Sequence, residues 1–272
     1  MSSPRFHVEH EHPHGPSEGG GHEVATALRV VTYNIHHGAD AEDRLDLART
    51  AAVLARSGAD LIGLQEVDRH WSERSAFADQ GKWLAGTLGM HVAYGANLDL
   101  DPDPDGPGPE RRQYGLAVLS RFPILSVLHE LLPHGPEADP ALELRGLLAV
   151  EVDVDGTRLR FATTHLSEAD PRARESEATR VADLLGRAPR RTILTGDLNA
   201  LPAAPETKPL TDVLVDAWPD EGDDPGHTIP VAVPDRRIDY VLVSPDLTPA
   251  RRQVLTGADA SDHLPVVVDV RL

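Results

Sequence analysis

Asp197 and Asn199 stand one residue apart, just beyond the apolar run Arg191-Thr192-Ile193-Leu194-Thr195. That run reads as a buried strand, so alternate residues past its carboxyl end are expected to aim a carboxylate and an amide at one spot. Asp262 and His263 precede a second run, Leu264-Pro265-Val266-Val267-Val268. They add another carboxylate and the one side chain whose ordinary titration lies near neutrality. Oxygen donors beside an imidazole are the ingredients of metal-assisted hydrolysis.

Four further apolar segments deliver a polar residue in the same way. Asn34 closes Val30-Val31-Thr32-Tyr33, Glu66 follows Leu61-Ile62-Gly63-Leu64-Gln65, His165 follows Phe161-Ala162-Thr163-Thr164, and Asp239 lies in Arg237-Ile238-Asp239-Tyr240-Val241-Leu242. In this order the set resembles the active-site series of the endonuclease/exonuclease/phosphatase superfamily. That group includes DNase I, abasic-site endonucleases, neutral sphingomyelinases and inositol polyphosphate 5-phosphatases. The resemblance runs from about Leu28 to Leu272 and rests on six motifs in sequence, each weak alone. It implies an α/β fold, a four-layer sandwich of two packed mixed β-sheets flanked by helices.

Hydrolysis of a phosphate ester needs a cation against the charge on the phosphoryl oxygens, an aligned water and a group that stabilises the leaving oxygen. Glu66, with Asn34 beside it, is the expected ligand of Mg²⁺ or Mn²⁺, since Mg²⁺ commonly takes one or two carboxylates and keeps several waters. The resemblance implies that Asp262 completes this site. Asp197 is expected to orient or deprotonate the attacking water, and Asn199 to bind a nonbridging oxygen without adding repulsion. His263 reads as an acid/base or phosphate-binding imidazole, with Asp239 fixing its tautomer and raising its pKa. His165 is expected to face it across the site, as in relatives that carry two such histidines. Arg145 resembles an arginine placed near the phosphate, and Tyr114 is a candidate for lining the cleft.

One departure stands out. Nucleases of the superfamily often carry Asp two residues after the first Asn, where this chain has His36. A softer metal ligand, a phosphate contact and a packed imidazole all suit that residue. In the helix after His165, Arg174 and Glu177 stand where many relatives have Arg and Gln, a change to which no function is assigned.

The elements that must position these groups are also legible. Leu45, Ala48, Ala52 and Leu54-Ala55 give a helix ending near Gly58, so the chain starts as strand, helix, strand. A second helix is expected from Ser75 to Leu88, then a strand around His91 to Tyr94. The Asp- and Pro-rich stretch from Asn97 to Arg112 is expected to be a surface loop. Leu116–Leu119, Ile124–Leu131, Leu147–Val154 and Leu159–Thr164 read as consecutive antiparallel strands, with Asp155-Gly156 as a hairpin turn. Helical spacing returns from Ala173 to Leu185, and strands dominate after Arg237.

The 272 residues, 40% of them hydrophobic, suffice for one domain, expected over 28–272. Residues 1–27 hold five of the fourteen histidines among Gly, Pro and Glu and read as a disordered tail. There is no cysteine, which excludes disulfides, thiolate zinc sites and Cys catalysis. No signal segment or membrane-spanning run is evident, so a cytoplasmic enzyme is expected. The net charge of −18 opposes approach to duplex DNA. Positive charge is nearly all guanidinium, since Lys82 and Lys208 are the sole lysines, and guanidinium suits bidentate phosphate recognition. Aromatics at 4% leave little for stacking single strands. A small or lipid-derived phosphate ester is therefore the preferred substrate. A nonspecific nuclease is the alternative, and a noncatalytic binding protein is the rival of another kind. Oligomeric state is not legible.

Overall fold

The computed structural model describes residues 27–133, 143–218 and 224–272; the N-terminal tail expected over 1–27 lies almost wholly outside them. The chain opens with β1 (Ala27–Asn34), α1 (Leu47–Ser57) and β2 (Leu61–Arg69). Asp46 caps α1 by accepting from the Arg49 amide, and Gly58 ends it at φ 64°, a left-handed turn suited to glycine. Then come α2 (Gln80–Leu88), β3 (His91–Leu100) and β4 (Arg112–Ser120). The second sheet takes β5 (Ile124–Leu132), β6 (Arg145–Val154), β7 (Thr157–His165), α3 (Pro171–Leu185), β8 (Thr192–Asp197), α4 (Lys208–Thr211), β9 (Val215–Asp216) and β10 (Asp239–Val243). The chain returns to the first sheet with β11 (Thr248–Val254) and β12 (Val266–Arg271).

Among the described residues there are two mixed six-stranded sheets, ordered β11-β12-β1-β2-β4-β3 and β5-β6-β7-β8-β10-β9. Each contains one parallel pair joined by a helix, β1/β2 through α1 and β7/β8 through α3. This is the expected four-layer sandwich. In α/β sheets the crevice at the carboxyl ends of parallel strands is where ligands bind. Asn34, His165 and Asp197 are the last residues of three of those four strands, and Glu66 lies near the end of the fourth.

Three local expectations change. The second helix begins only at Gln80, because Asp79 caps it by accepting from the Lys82 amide, while Ala76 and Phe77 sit at φ 49° and 53° and break any earlier turn. β3 continues to Leu100, six residues beyond the expected strand, because its ladder with β4 reaches Leu100 opposite Arg112. Only Asp101 to Arg111 is irregular, and Arg111 ties it back by ion pairs to Asp99 and Asp101. The four strands from Leu116 to Thr164 do not form one meander: β4 pairs with β2 and β3, and the Arg121-Phe122-Pro123 link carries the chain to the other sheet. The Asp155-Gly156 turn joins β6 to β7 as read.

The sheets meet over an apolar core to which β1, β2, β4, β6 and β7 contribute, while a second cluster packs α3 residues Ala178, Val181 and Leu185 onto the other sheet. Within this core a polar contact joins the sheets: buried Gln65 donates through Nε2 to Thr163 Oγ1 at 2.8 Å. Beside it, a Cβ on Gly63 would lie 2.1 Å from Thr195 Oγ1 and 2.8 Å from Thr163 Oγ1. Gly63→Ala should therefore force the sheets apart locally and cost about 1–3 kcal/mol. A lowered urea midpoint at unchanged slope is the expected result, and an unchanged midpoint would show that the sheets are not held this closely.

Candidate active site

β7 and β8 run parallel, with His165 opposite Asp197, and β10 places Asp239 opposite Asp197 from the other side. The carboxylate of Asp197 is 1% exposed and becomes a common point. Its Oδ2 accepts from Asn34 Nδ2 at 3.1 Å and lies 3.6 Å from both His165 Nε2 and His263 Nε2. Its Oδ1 accepts the backbone N–H of Asn199 at 2.9 Å, an Asx turn made possible by φ 50° at Asn199. The amide of Asn199 bends back to donate to Leu166 O at 3.0 Å, beside His165.

Glu66 arrives by a different device. The β2/β4 ladder slips between Leu64 and Val67, and Glu66 takes φ 57° at the irregularity. A bulge of this kind re-aims a side chain, and left-handed backbone at a non-glycine residue is strain that the surrounding structure must hold. Asn34 Nδ2 also donates to Glu66 Oε1 at 2.9 Å. Its Oδ1 accepts the backbone N–H of His36 at 3.1 Å. That bond orients the amide with nitrogen toward the two carboxylates, so Asn34 holds Glu66 and Asp197 at one place.

His263 and Asp239 pair as the sequence suggested, Nδ1 to Oδ2 at 2.9 Å. Burial opposes charge on His263, but Asp239 and Asp197 outweigh it and raise the imidazole to about 10. Burial, reinforced by Asp239, pushes Asp197 up out of the usual carboxylate range. His165 is driven the other way, well below its ordinary value, by burial and then by Arg145. Asp197, Asp239 and His263 come within 4.8 Å of one another and could in principle hold an ion. The short bond from His263 Nδ1 to Asp239 makes this trio a proton-holding network instead.

These groups open onto a cavity of about 340 Å³ lined by Glu66, Arg145, His165, Asp197, Asn199, Asp262 and His263. Asp239 and Asn34 stand behind them, bonded to residues of the wall. The hard carboxylate oxygens of Glu66 and Asp262, both on the wall, suit a divalent cation of the Mg²⁺ kind.

Two candidates are not among the lining residues. Tyr114 is buried against Trp71 beneath the Arg74 guanidinium, and burial and then the charge of Glu66 raise the pKa of its phenol. The His36 ring points toward Asp43, 3.5 Å from its Oδ1, and reaches the site only through its backbone. Sequence reasoning did not place Glu168, Arg174 or Arg236 on the wall. Arg174 donates to Glu206 and to the Ser167 and Glu168 carbonyls, bracing the turn after His165. Its distance in sequence from Glu206 left no pattern to read. The adjacent Arg236-Arg237 was visible as a charge pair, but the two diverge, Arg237 turning to Asp216.

The Endonuclease/Exonuclease/phosphatase family profile matches residues 31–263, and the chain belongs to that family. Its members are hydrolytic phosphoesterases that generally use divalent metals. An endonuclease/exonuclease/phosphatase from Beutenbergia cavernae is similar in structure at 30% identity, with TM-score 0.75 over 90% of this chain and 72% of that one. A mannosyl-6-phosphatase of Bacteroides thetaiotaomicron has the same fold at 22% identity and TM-score 0.69, over 90% of this chain and all of that one. Protein cwh43 of Schizosaccharomyces pombe is 29% identical over 140 residues, which is 50% of this chain and 12% of that protein.

His263 gives the site a pH signature. The folded protein keeps the proton to about pH 10 while the unfolded chain releases it near 6.5, so the native state binds more protons between those values. Stability of the metal-free protein should fall as pH rises through that window. Asp239→Asn should flatten the slope in denaturant titrations from pH 6.5 to 10. An equal slope in the variant would show that the pair does not hold the proton.

Proposed function

We propose that the chain is a Mg²⁺- or Mn²⁺-dependent hydrolase of a small phosphate ester, acting by in-line attack of water. The observation that carries this reading is the convergence of Asn34, His165 and His263 on one buried oxygen of Asp197. A carboxylate whose pKa is raised by burial is a competent base near neutrality, and Asp197 would accept the proton of the attacking water. His263, kept cationic by Asp239, would neutralise and protonate a developing oxyanion. Asn199 would donate to a nonbridging oxygen. The cation held by Glu66 and Asp262, with Asn34 behind them, would supply neutralisation of the phosphoryl charge.

Small substrates fit the site better than polymers. The cavity is about 340 Å³, and its wall mixes carboxylates with Arg145, Arg174 and Arg236 and is not uniformly cationic. The net charge of −18 would repel a long polyanion, which supports small or lipid-derived esters over a nuclease role. Since one protein of this fold is a mannosyl-6-phosphatase, sugar phosphates belong in the substrate panel.

Turnover of p-nitrophenyl phosphate and its bis ester, with sugar phosphates and single- and double-stranded DNA for comparison, should require added Mg²⁺ or Mn²⁺ and vanish in Asp197→Ala. His263→Ala should lower the rate by about 10²–10⁴. Metal-independent turnover, or turnover kept by Asp197→Ala, would remove the proposal. A folded protein that hydrolyses none of these esters would point instead to a binding role. Glu66→Ala should raise the metal concentration for half-maximal rate, and an unmoved titration would take Glu66 out of the metal site.

A further inference from the structure

Arg145 contacts His165 directly: Nη1 lies 3.0 Å from His165 Nδ1. A guanidinium only donates, and it stays protonated in proteins. Nδ1 must therefore be the accepting nitrogen, which leaves a neutral ring with its single proton on Nε2. We infer that Arg145 is a positioning residue that locks His165 as the neutral Nε2–H tautomer, a hydrogen-bond donor aimed into the cavity. This rests on the phosphoesterase reading for its mechanistic meaning, but the tautomer itself does not depend on it.

At Nε2 the nearest group is Asn199 Nδ2, 3.2 Å away, which gives one of its two hydrogens to Leu166 O at 3.0 Å. With Nε2 protonated, the second amide hydrogen turns from the ring into the cavity, where it can serve a nonbridging oxygen. The remaining acceptor, Asp197 Oδ2, is 3.6 Å distant, too long for a good hydrogen bond. The Nε2 proton is therefore available to an oxygen entering the cavity. Arg145 from β6 and His263 from the segment before β12 both oppose a second proton on the ring, while the Asp197 carboxyl from β8 faces the Nε2 side. Glu143 Oε1 forms an ion pair at 2.7 Å with the same Nη1 that faces His165.

The two histidines thus do different work. His263, backed by a carboxylate, carries a proton that it can give. His165, backed by a guanidinium, stabilises charge without transferring a proton, as a fixed dipole in a preorganised site does. Arg145 acts on the substrate through this ring.

The test is ¹⁵N NMR of the full chain labelled at histidine, with His165 assigned by its loss in His165→Gln. The inference expects His165 as a neutral ring with Nε2 protonated and Nδ1 bare, unchanged from pH 6 to 8. Arg145→Met should let the ring sample the other tautomer or take up a second proton within that range. Arg145→Lys, which keeps a donor, should restore the Nε2–H form. In steady-state kinetics Arg145→Met should lower kcat by about tenfold or more, with a smaller change in KM. A wild-type ring that is cationic or protonated at Nδ1 at pH 7 overturns the inference whatever the activity. The expected tautomer in a protein that hydrolyses no ester would leave the inference standing and remove the phosphoesterase reading instead.

Discussion

A single desolvated oxygen, Oδ2 of Asp197, sets the terms for the rest of the site. A carboxylate removed from water is costly unless its charge is matched or its proton retained. The fold meets that demand from several directions. Asn34 approaches from the first sheet, His165 from the neighbouring parallel strand, and His263 from the loop that leads into β12. Because these groups come from different strands, the site exists only when the two sheets are packed at their observed separation. The Gln65–Thr163 bond and the absence of a side chain at Gly63 maintain that separation a few residues below the mouth.

The two imidazoles show how one scaffold produces opposite protonation from the same side chain. Each has one ring nitrogen 3.6 Å from Asp197 Oδ2, and each is buried. What differs is the partner of Nδ1, a carboxylate for His263 and a guanidinium for His165. Groups whose environments drive their protonation apart are how acid, base and electrophile are assigned within a single cavity.

Much of this was legible in the chain. Asn34, His165 and Asp197 end apolar runs, so strand periodicity alone places them at strand mouths. The helix stop at Gly58 is local chemistry that sequence displays openly. Other features were not visible because they depend on pairing partners. That Arg145 meets the His165 ring follows from the β6/β7 register, which sets Gly146 opposite His165. The aim of Glu66 follows from a ladder slip that no hydrophobic pattern marks. Where the His36 and Tyr114 rings settle was not legible either, since one faces Asp43 and the other packs against Trp71 beneath Arg74. The jump from β4 to β5 shows the same limit, since two antiparallel strands adjacent in sequence read identically whether or not they share a sheet.

The strand order also bears on how such a protein comes off the ribosome. β5 through β10 form a sheet from one uninterrupted stretch, whereas the other sheet needs β1 to wait for β12, with Leu28 pairing Val270. Synthesis from the N-terminus would therefore complete the β5–β10 sheet first and leave β1 with an open edge until β12 emerges. Asp262 and His263 enter on that same segment. The nascent chain would thus hold its acidic groups without their cationic partner until the last step of assembly, so the site could become competent only when the fold closes.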